Sequence, residues 1–135
     1  MGAEVRVYRV DHFVLTVRDV ETTCDFYARV LGMEVEEFEG GRYALKFGRQ
    51  KINLHQTGAE FEPKAGKPTP GSGDFCLITN VPLERAMEHV RSCGVEIIEG
   101  PVSRTGATGR LESVYFRDPD GNLVEVSNCL GSVEE

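Results

Sequence analysis

The chain has 135 residues, a formal charge of −7 from 22 acidic and 15 basic residues, and a hydrophobic content of 40%. That length holds one small domain or two fused modules with a real core. The acidic balance, with no Lys/Arg stripe, excludes nucleic acid as a partner, and no apolar run approaches a bilayer span.

The four cysteines, Cys24, Cys76, Cys93 and Cys129, form no CxxC pair, which predicts free thiols in a reducing, intracellular, cytoplasmic setting rather than a zinc knot. Val10 to Val17 predicts a strand with His12, Val14 and Thr16 on one face and Phe13, Leu15 and Val17 on the other. Asp19 predicts the cap of a helix from Val20 to Leu31, in which Cys24, Tyr27, Ala28 and Leu31 recur at helical spacing and Gly32 follows the last of them. Short strands are expected at Glu34 to Glu37, Tyr43 to Phe47 and Lys51 to His55. Thr57 to Gly73, rich in Pro and Gly and without a period, reads as a module linker, a lid over a site, or both. The pattern then restarts: a strand at Asp74 to Thr79, a helix opened by Pro82 and carrying Leu83, Met87 and Val90, and a strand at Val95 to Ile98. Gly100 to Arg110 reads as a loop. Leu111 to Ser127 reads as a hairpin turned by Asp118, Pro119, Asp120 and Gly121, with Glu125 on the face opposite Val124 and Val126.

The two halves repeat. Sliding the chain along itself so that Asp74 falls on His12 also sets His89 on Tyr27, Gly94 on Gly32, Val95 on Met33 and Ile97 on Val35. Further on, Phe116 matches Phe47, and Glu125 matches Asn53 once the longer turn is allowed for. Each half therefore reads β-α-β-β-β, an α+β fold built from tandem modules at residues 8–56 and 74–130 about the 57–73 linker, one domain over 1–135. Two such half-sheets related by a pseudo-twofold axis would curl around a cleft faced by their first and last strands. That gives an inward set of His12, Asn53 or His55, Asp74 and Glu125. A single His or Glu in a strand is ordinarily a surface residue; it is the symmetry of the four positions that points to a divalent metal. Imidazole and carboxylate without thiolate suit Zn, Ni, Fe, Mn or Co with positions left for water or substrate.

The segments DHFVLTVRDVETTCDFYARVLGMEV, INLHQ, GDFCLIT and YFRDPDGNLVEVS resemble the vicinal oxygen chelate superfamily, which includes glyoxalase I, bleomycin-binding proteins and extradiol dioxygenases. KINLHQ, EFEPKA, PTPGS and GPVSRTGATG more narrowly resemble the subgroup called glyoxalase domain-containing protein 5. The resemblance implies paired βαβββ modules around a U-shaped metal cleft and a small-molecule substrate whose vicinal oxygens are chelated. It implies His12 and Glu125 as metal ligands, Glu125 also as the catalytic proton carrier, and a lyase or isomerase reaction, with dioxygenation needing a second histidine. Asp74 stands where many members have histidine and Asn53 where glyoxalase I has glutamate, so His55 and Asp74 are taken to complete the metal set of His12, His55, Asp74 and Glu125. Arg104, Lys64 and Tyr115 are the candidates to bind substrate, and a homodimer is expected. The alternative is a non-catalytic module of the bleomycin-resistance type that sequesters a small molecule.

Overall fold

The computed structural model describes residue 2 and residues 4–131, so the assignment of 1–135 to one domain runs at both ends beyond the described residues. The elements run β1 (His12–Val17), α1 (Val20–Leu31), β2 (Glu34–Phe38), β3 (Arg42–Phe47), β4 (Gln50–Gln56), β5 (Asp74–Ile78), α2 (Leu83–Ser92), β6 (Glu99–Thr105), β7 (Arg110–Arg117) and β8 (Leu123–Leu130). They form two four-stranded mixed sheets, ordered β1-β4-β3-β2 and β5-β8-β7-β6, in each of which the first strand runs parallel to the last. The fold is the expected α+β tandem of βαβββ modules.

Alternation along each strand separates a core face from an open face. Leu15, Val17, Leu45, Ile52 and Leu54 of the first sheet and Val114, Phe116, Val124 and Val126 of the second share one hydrophobic cluster with both helices. The modules also meet through the Phe13 and Phe75 rings, which are equivalent under the repeat and lie 5.3 Å apart. In α1 the buried stripe is Thr23, Phe26, Tyr27 and Val30, while Ala28 is exposed. Of the expected stripe Tyr27 is buried and Cys24 and Leu31 pack against the core, while Ala28 stays outside, because the large Phe26 ring turns inward against Tyr27 and, across the modules, Phe116. Leu83, Met87 and Val90 of α2 are buried as expected.

Two expectations are corrected. Val95 to Ile98 is not a strand: Val95 and Ile97 pack against the core, and β6 begins at Glu99 and runs through what read as a loop. Gly100 (φ 113) makes this possible, since a Cβ there would lie 2.5 Å from the Ser113 carbonyl oxygen, and the register shifts between Glu99 and Val102. The match of Phe116 to Phe47 also fails. Strand register pairs Phe116 with Val124 and Leu45 with Ile52, so Leu45 is the structural equivalent of Phe116.

The Asp118–Asn122 turn does more than reverse the chain. Asp118 Oδ1 accepts from the Asp120 and Asn122 backbone N–H groups, while its Oδ2 accepts from Asn122 Nδ2 and, at 2.7 Å, from the Tyr27 hydroxyl of α1. Asp120 Oδ1 accepts from the Arg18 N–H and Asn122 Oδ1 from that of Gly73. A Cβ on Gly73 would meet Asn122 Oδ1 at 2.9 Å, so the close approach of linker and turn requires glycine there. Burial, and after it the Asp118 charge, pushes the Tyr27 phenol far above its ordinary range and keeps it a donor.

Candidate functional site

The sites predicted from the sequence lie on the open faces of the sheets, except Lys64, which stands in the 57–73 segment. On the first sheet Val14 pairs with Asn53 and His12 with Lys51; on the second Cys76 pairs with Glu125 and Asp74 with Leu123. His12 and Asn53 are therefore diagonal neighbours one pleat apart, and Asp74 and Glu125 stand in the same relation on the other sheet. At a rise of about 3.3 Å per residue each pair is offset by roughly 7 Å along the strands, within reach of two side chains converging on one atom. The repeat predicted this equivalence, and the register reproduces it.

His12 is exposed, and its Nδ1 lies 2.9 Å from Asp11 Oδ1. With Nδ1–H donating to that carboxylate, Nε2 is left as the open ring nitrogen, the arrangement that orients a metal-binding imidazole. The same hydrogen bond, ahead of the His12 and Arg9 charges, lowers the Asp11 carboxyl below its usual range. Asp11 was not anticipated, although it adjoins His12 in the chain. Asn53 Oδ1 is buried without a hydrogen-bond partner. A buried amide oxygen left in that state costs free energy unless something outside the chain satisfies it.

His55 stands elsewhere. It lies four residues along β4 from Lys51, the register partner of His12, a separation of about 13 Å along the strand. Its ring, 8% exposed, packs edge-on against Phe61 of the 57–73 segment, with centroids 5.5 Å apart, and the Arg42 guanidinium covers the same Phe61 ring at 4.2 Å. Burial, then the Arg42 charge, lowers the His55 pKa, against the opposing pull of Glu60. The 57–73 segment thus lies over the first sheet with Phe61 as its anchor. Beneath it a cavity of about 770 Å³ is lined by Phe13, Val14, Thr16, His55, Lys64 and Asp74, among others. Lys64 is already engaged, 3.1 Å from Glu62 and 3.6 Å from Glu60.

Around Glu125 the second sheet builds a polar patch. Cys76 on β5 and Tyr115 on β7 flank it directly. Arg104 Nε donates to the Tyr115 hydroxyl oxygen at 2.8 Å, and its Nη2 lies 3.4 Å from Glu99. Ser113 and Ser127, neither exposed at all, join hydroxyls at 2.6 Å. Ser127 Oγ also lies 3.2 Å from Cys76 Sγ and 3.5 Å from Glu125 Oε2. Burial, more than the Glu125 charge, pushes the Cys76 thiol up, against the Ser127 hydrogen bond. Cys76, Arg104, Leu111, Glu125 and Cys129 line a cavity of about 450 Å³ here. The serines escaped the sequence reading, although Ser127 lies one pleat beyond Glu125, and that alternation was the available signal.

Each sheet carries two of the residues expected as metal ligands. Among the described residues of one chain, no group of three or more His, Cys, Asp and Glu gathers as a metal holder. His12 and Asn53 share one open face, Asp74 and Glu125 another. No helix is long and apolar enough to cross a membrane among the described residues.

Residues 9–126 match the family described as the Glyoxalase/Bleomycin resistance protein/Dioxygenase superfamily. The chain is 56% identical to virulence protein STM3117 of Salmonella typhimurium over 90% of its own length and 85% of the relative's. The crystal structure of that protein matches with a TM-score of 0.92 at 53% identity, covering 93% of this chain and 100% of the other. Glyoxalase domain-containing protein RDO1 of Mycosarcoma maydis is 51% identical, covering 93% of this chain and 70% of the relative. A lactoylglutathione lyase of Pseudomonas aeruginosa is 31% identical, covering 88% and 81%.

Proposed function

The chain belongs to the glyoxalase/bleomycin resistance protein/dioxygenase superfamily, and from that premise we propose that it is a divalent-metal-dependent enzyme of the lyase or isomerase type, acting on a small molecule with two neighbouring oxygens. The ion would be held by His12 and Asn53 of one copy together with Asp74 and Glu125 of a second copy, in a homodimer. The observation that carries this reading is the buried, unpartnered Oδ1 of Asn53 at the position equivalent to Glu125. The Asp11-backed imidazole of His12 supports it, and so does the donor set as a whole: one imidazole nitrogen, one amide oxygen and two carboxylates fit a first-row divalent ion. Asn53 takes the place expected of His55, whose distance from His12 and packing against Phe61 suit it to holding the 57–73 segment. The dimer is supported by Val14 and Ile78, exposed at 44% and 48% on the open faces beside the two donor pairs.

A bound divalent ion supplies Lewis-acid polarisation of the two substrate oxygens and stabilises negative charge that develops on them. Glu125 would be the proton carrier, its carboxylate taking a proton from one substrate carbon and returning it at the neighbouring one. Arg104, exposed at the cavity edge and fixed by Tyr115 and Glu99, orients the substrate by its charge. The 57–73 segment limits the access of water from the side of the first sheet. The lactoylglutathione lyase relative supports an isomerising or lyase chemistry over ring cleavage.

The test is metal stabilisation. Chelator-treated protein titrated with Co²⁺ or Zn²⁺ is expected to gain about 2.7 kcal/mol of stability at a hundredfold excess over Kd. His12→Ala, Asn53→Ala and Glu125→Ala should lose that gain, while His55→Ala keeps it. A wild-type protein indifferent to every divalent ion would leave a small-molecule-binding module in its place.

A further inference from the structure

The repeat makes the two sheets equivalent in backbone, yet it surrounds their inner ligands differently. Strand register equates Ser127 with His55, Ser113 with Arg42 and Cys76 with Val14. In the first sheet His55 and Arg42 both turn to Phe61, and Asn53 Oδ1 has no partner. In the second, the corresponding residues are two fully buried hydroxyls and a thiol, linked to one another and to Glu125.

The directions of these hydrogen bonds follow from proton counting. An ionised carboxylate only accepts, so the single hydroxyl proton of Ser127 goes to Glu125 Oε2. Ser127 Oγ must then accept from its other two neighbours, and Ser113 Oγ–H and Cys76 Sγ–H are the donors. In this pattern every proton in the group is used once, and Ser127 supplies the carboxylate with a hydroxyl donor. The link to Glu125, at 3.5 Å, is the longest of the three. It is nevertheless the one that restrains the side chain, because the Ser127 oxygen, itself fully buried, is pinned on both other sides.

We propose that Ser127, held by Ser113 and Cys76, is a positioning residue that fixes the Glu125 carboxylate through Oε2 and leaves Oε1 for the ion. This rests on the reading of Glu125 as a metal ligand. Outer hydrogen bonds of this kind typically change metal affinity by about 10- to 100-fold; with a long final link the lower figure is expected.

The experiment has two arms. In the first, Co²⁺ affinity and the visible spectrum of the bound ion are measured for wild type, Ser127→Ala, Ser113→Ala and the double variant. Ser127→Ala is expected to weaken binding about tenfold and alter the ligand-field bands, Ser113→Ala to do so less, and the double variant to be no worse than Ser127→Ala. Unchanged affinity and bands in both single variants overturn the proposal, and Ser113→Ala decides it if Ser127→Ala does not fold. In the second arm, metal-free crystals of the same variants are compared: Glu125 should hold one side-chain conformer in wild type and spread over several once the hydroxyl is gone. A single unchanged conformer in the variants overturns the proposal. Should wild type bind no Co²⁺, the metal reading fails, and this second arm still decides whether the serines position Glu125.

Discussion

Asp118 is 5% exposed and accepts four hydrogen bonds, one of them from the Tyr27 hydroxyl of the other module. A buried carboxylate satisfied on both oxygens is a structural device, and it accounts for the turn sequence without any catalytic role. Tyr27→Phe removes a hydrogen bond to a charged acceptor while keeping the ring, so urea unfolding should show a loss of about 1.5–3 kcal/mol. A change lost in the error of the midpoint would mean that the Asn122 amide alone satisfies Asp118 Oδ2. His55 makes a prediction of the opposite character, because its folded pKa is depressed below 6.5. Between the folded and unfolded values the unfolded chain binds more protons, so stability falls as pH drops through about 6.5 and is fully present above it. Thermal melts from pH 7.5 to 5.5 should show a steeper decline for wild type than for His55→Gln. Equal slopes would show that His55 is as easily protonated in the folded protein as in the unfolded chain.

At the level of elements, both helices are entered through the same device from different residues. Gln56, at the end of β4, accepts from the Val20 N–H and donates to the Arg18 carbonyl. Asn128, its register equivalent on β8, accepts from the Leu83 N–H at 2.8 Å and donates to the Thr79 and Val81 carbonyls, both at 2.9 Å. The side-chain amide of the last strand thus closes the first crossover in each module. It matters more for α2, whose N-cap is Pro82 and has no side-chain cap, than for α1, which Asp19 caps at Thr22. Asn128→Ala should therefore cost about 1–3 kcal/mol and raise amide exchange over residues 79–86, and Gln56→Ala should do less. Equal effects at the two sites would place the strength of the crossover in the backbone.

For the whole molecule, one core serves both modules, and among the described residues the proposed ligands do not gather into a group of three or more within one chain. The proposed sharing of a site between two copies would have a direct consequence. His12→Ala and Glu125→Ala proteins, each inactive, should regain metal binding when unfolded and refolded together, since a mixed dimer carries one site with all four donors intact. Sedimentation should show a dimer throughout. A monomer, or no regain in an established mixed dimer, would put the ion within one chain or nowhere.

The linear pattern by itself determined the modules, their helices and the equivalence of His12 with Asp74 and of Asn53 with Glu125. Periodicity, caps and an internal repeat are local or translational signals, and strand alternation carries them directly into which face a side chain takes. Only the tertiary structure set Asn53 and His55 in different surroundings, because they share a face and differ in their register against β1 and in the Phe61 ring that reaches His55 from a segment without a period. It alone revealed the Ser113–Ser127 pair, since a contact between neighbouring strands is a pairing of positions that the order of residues along one strand does not specify.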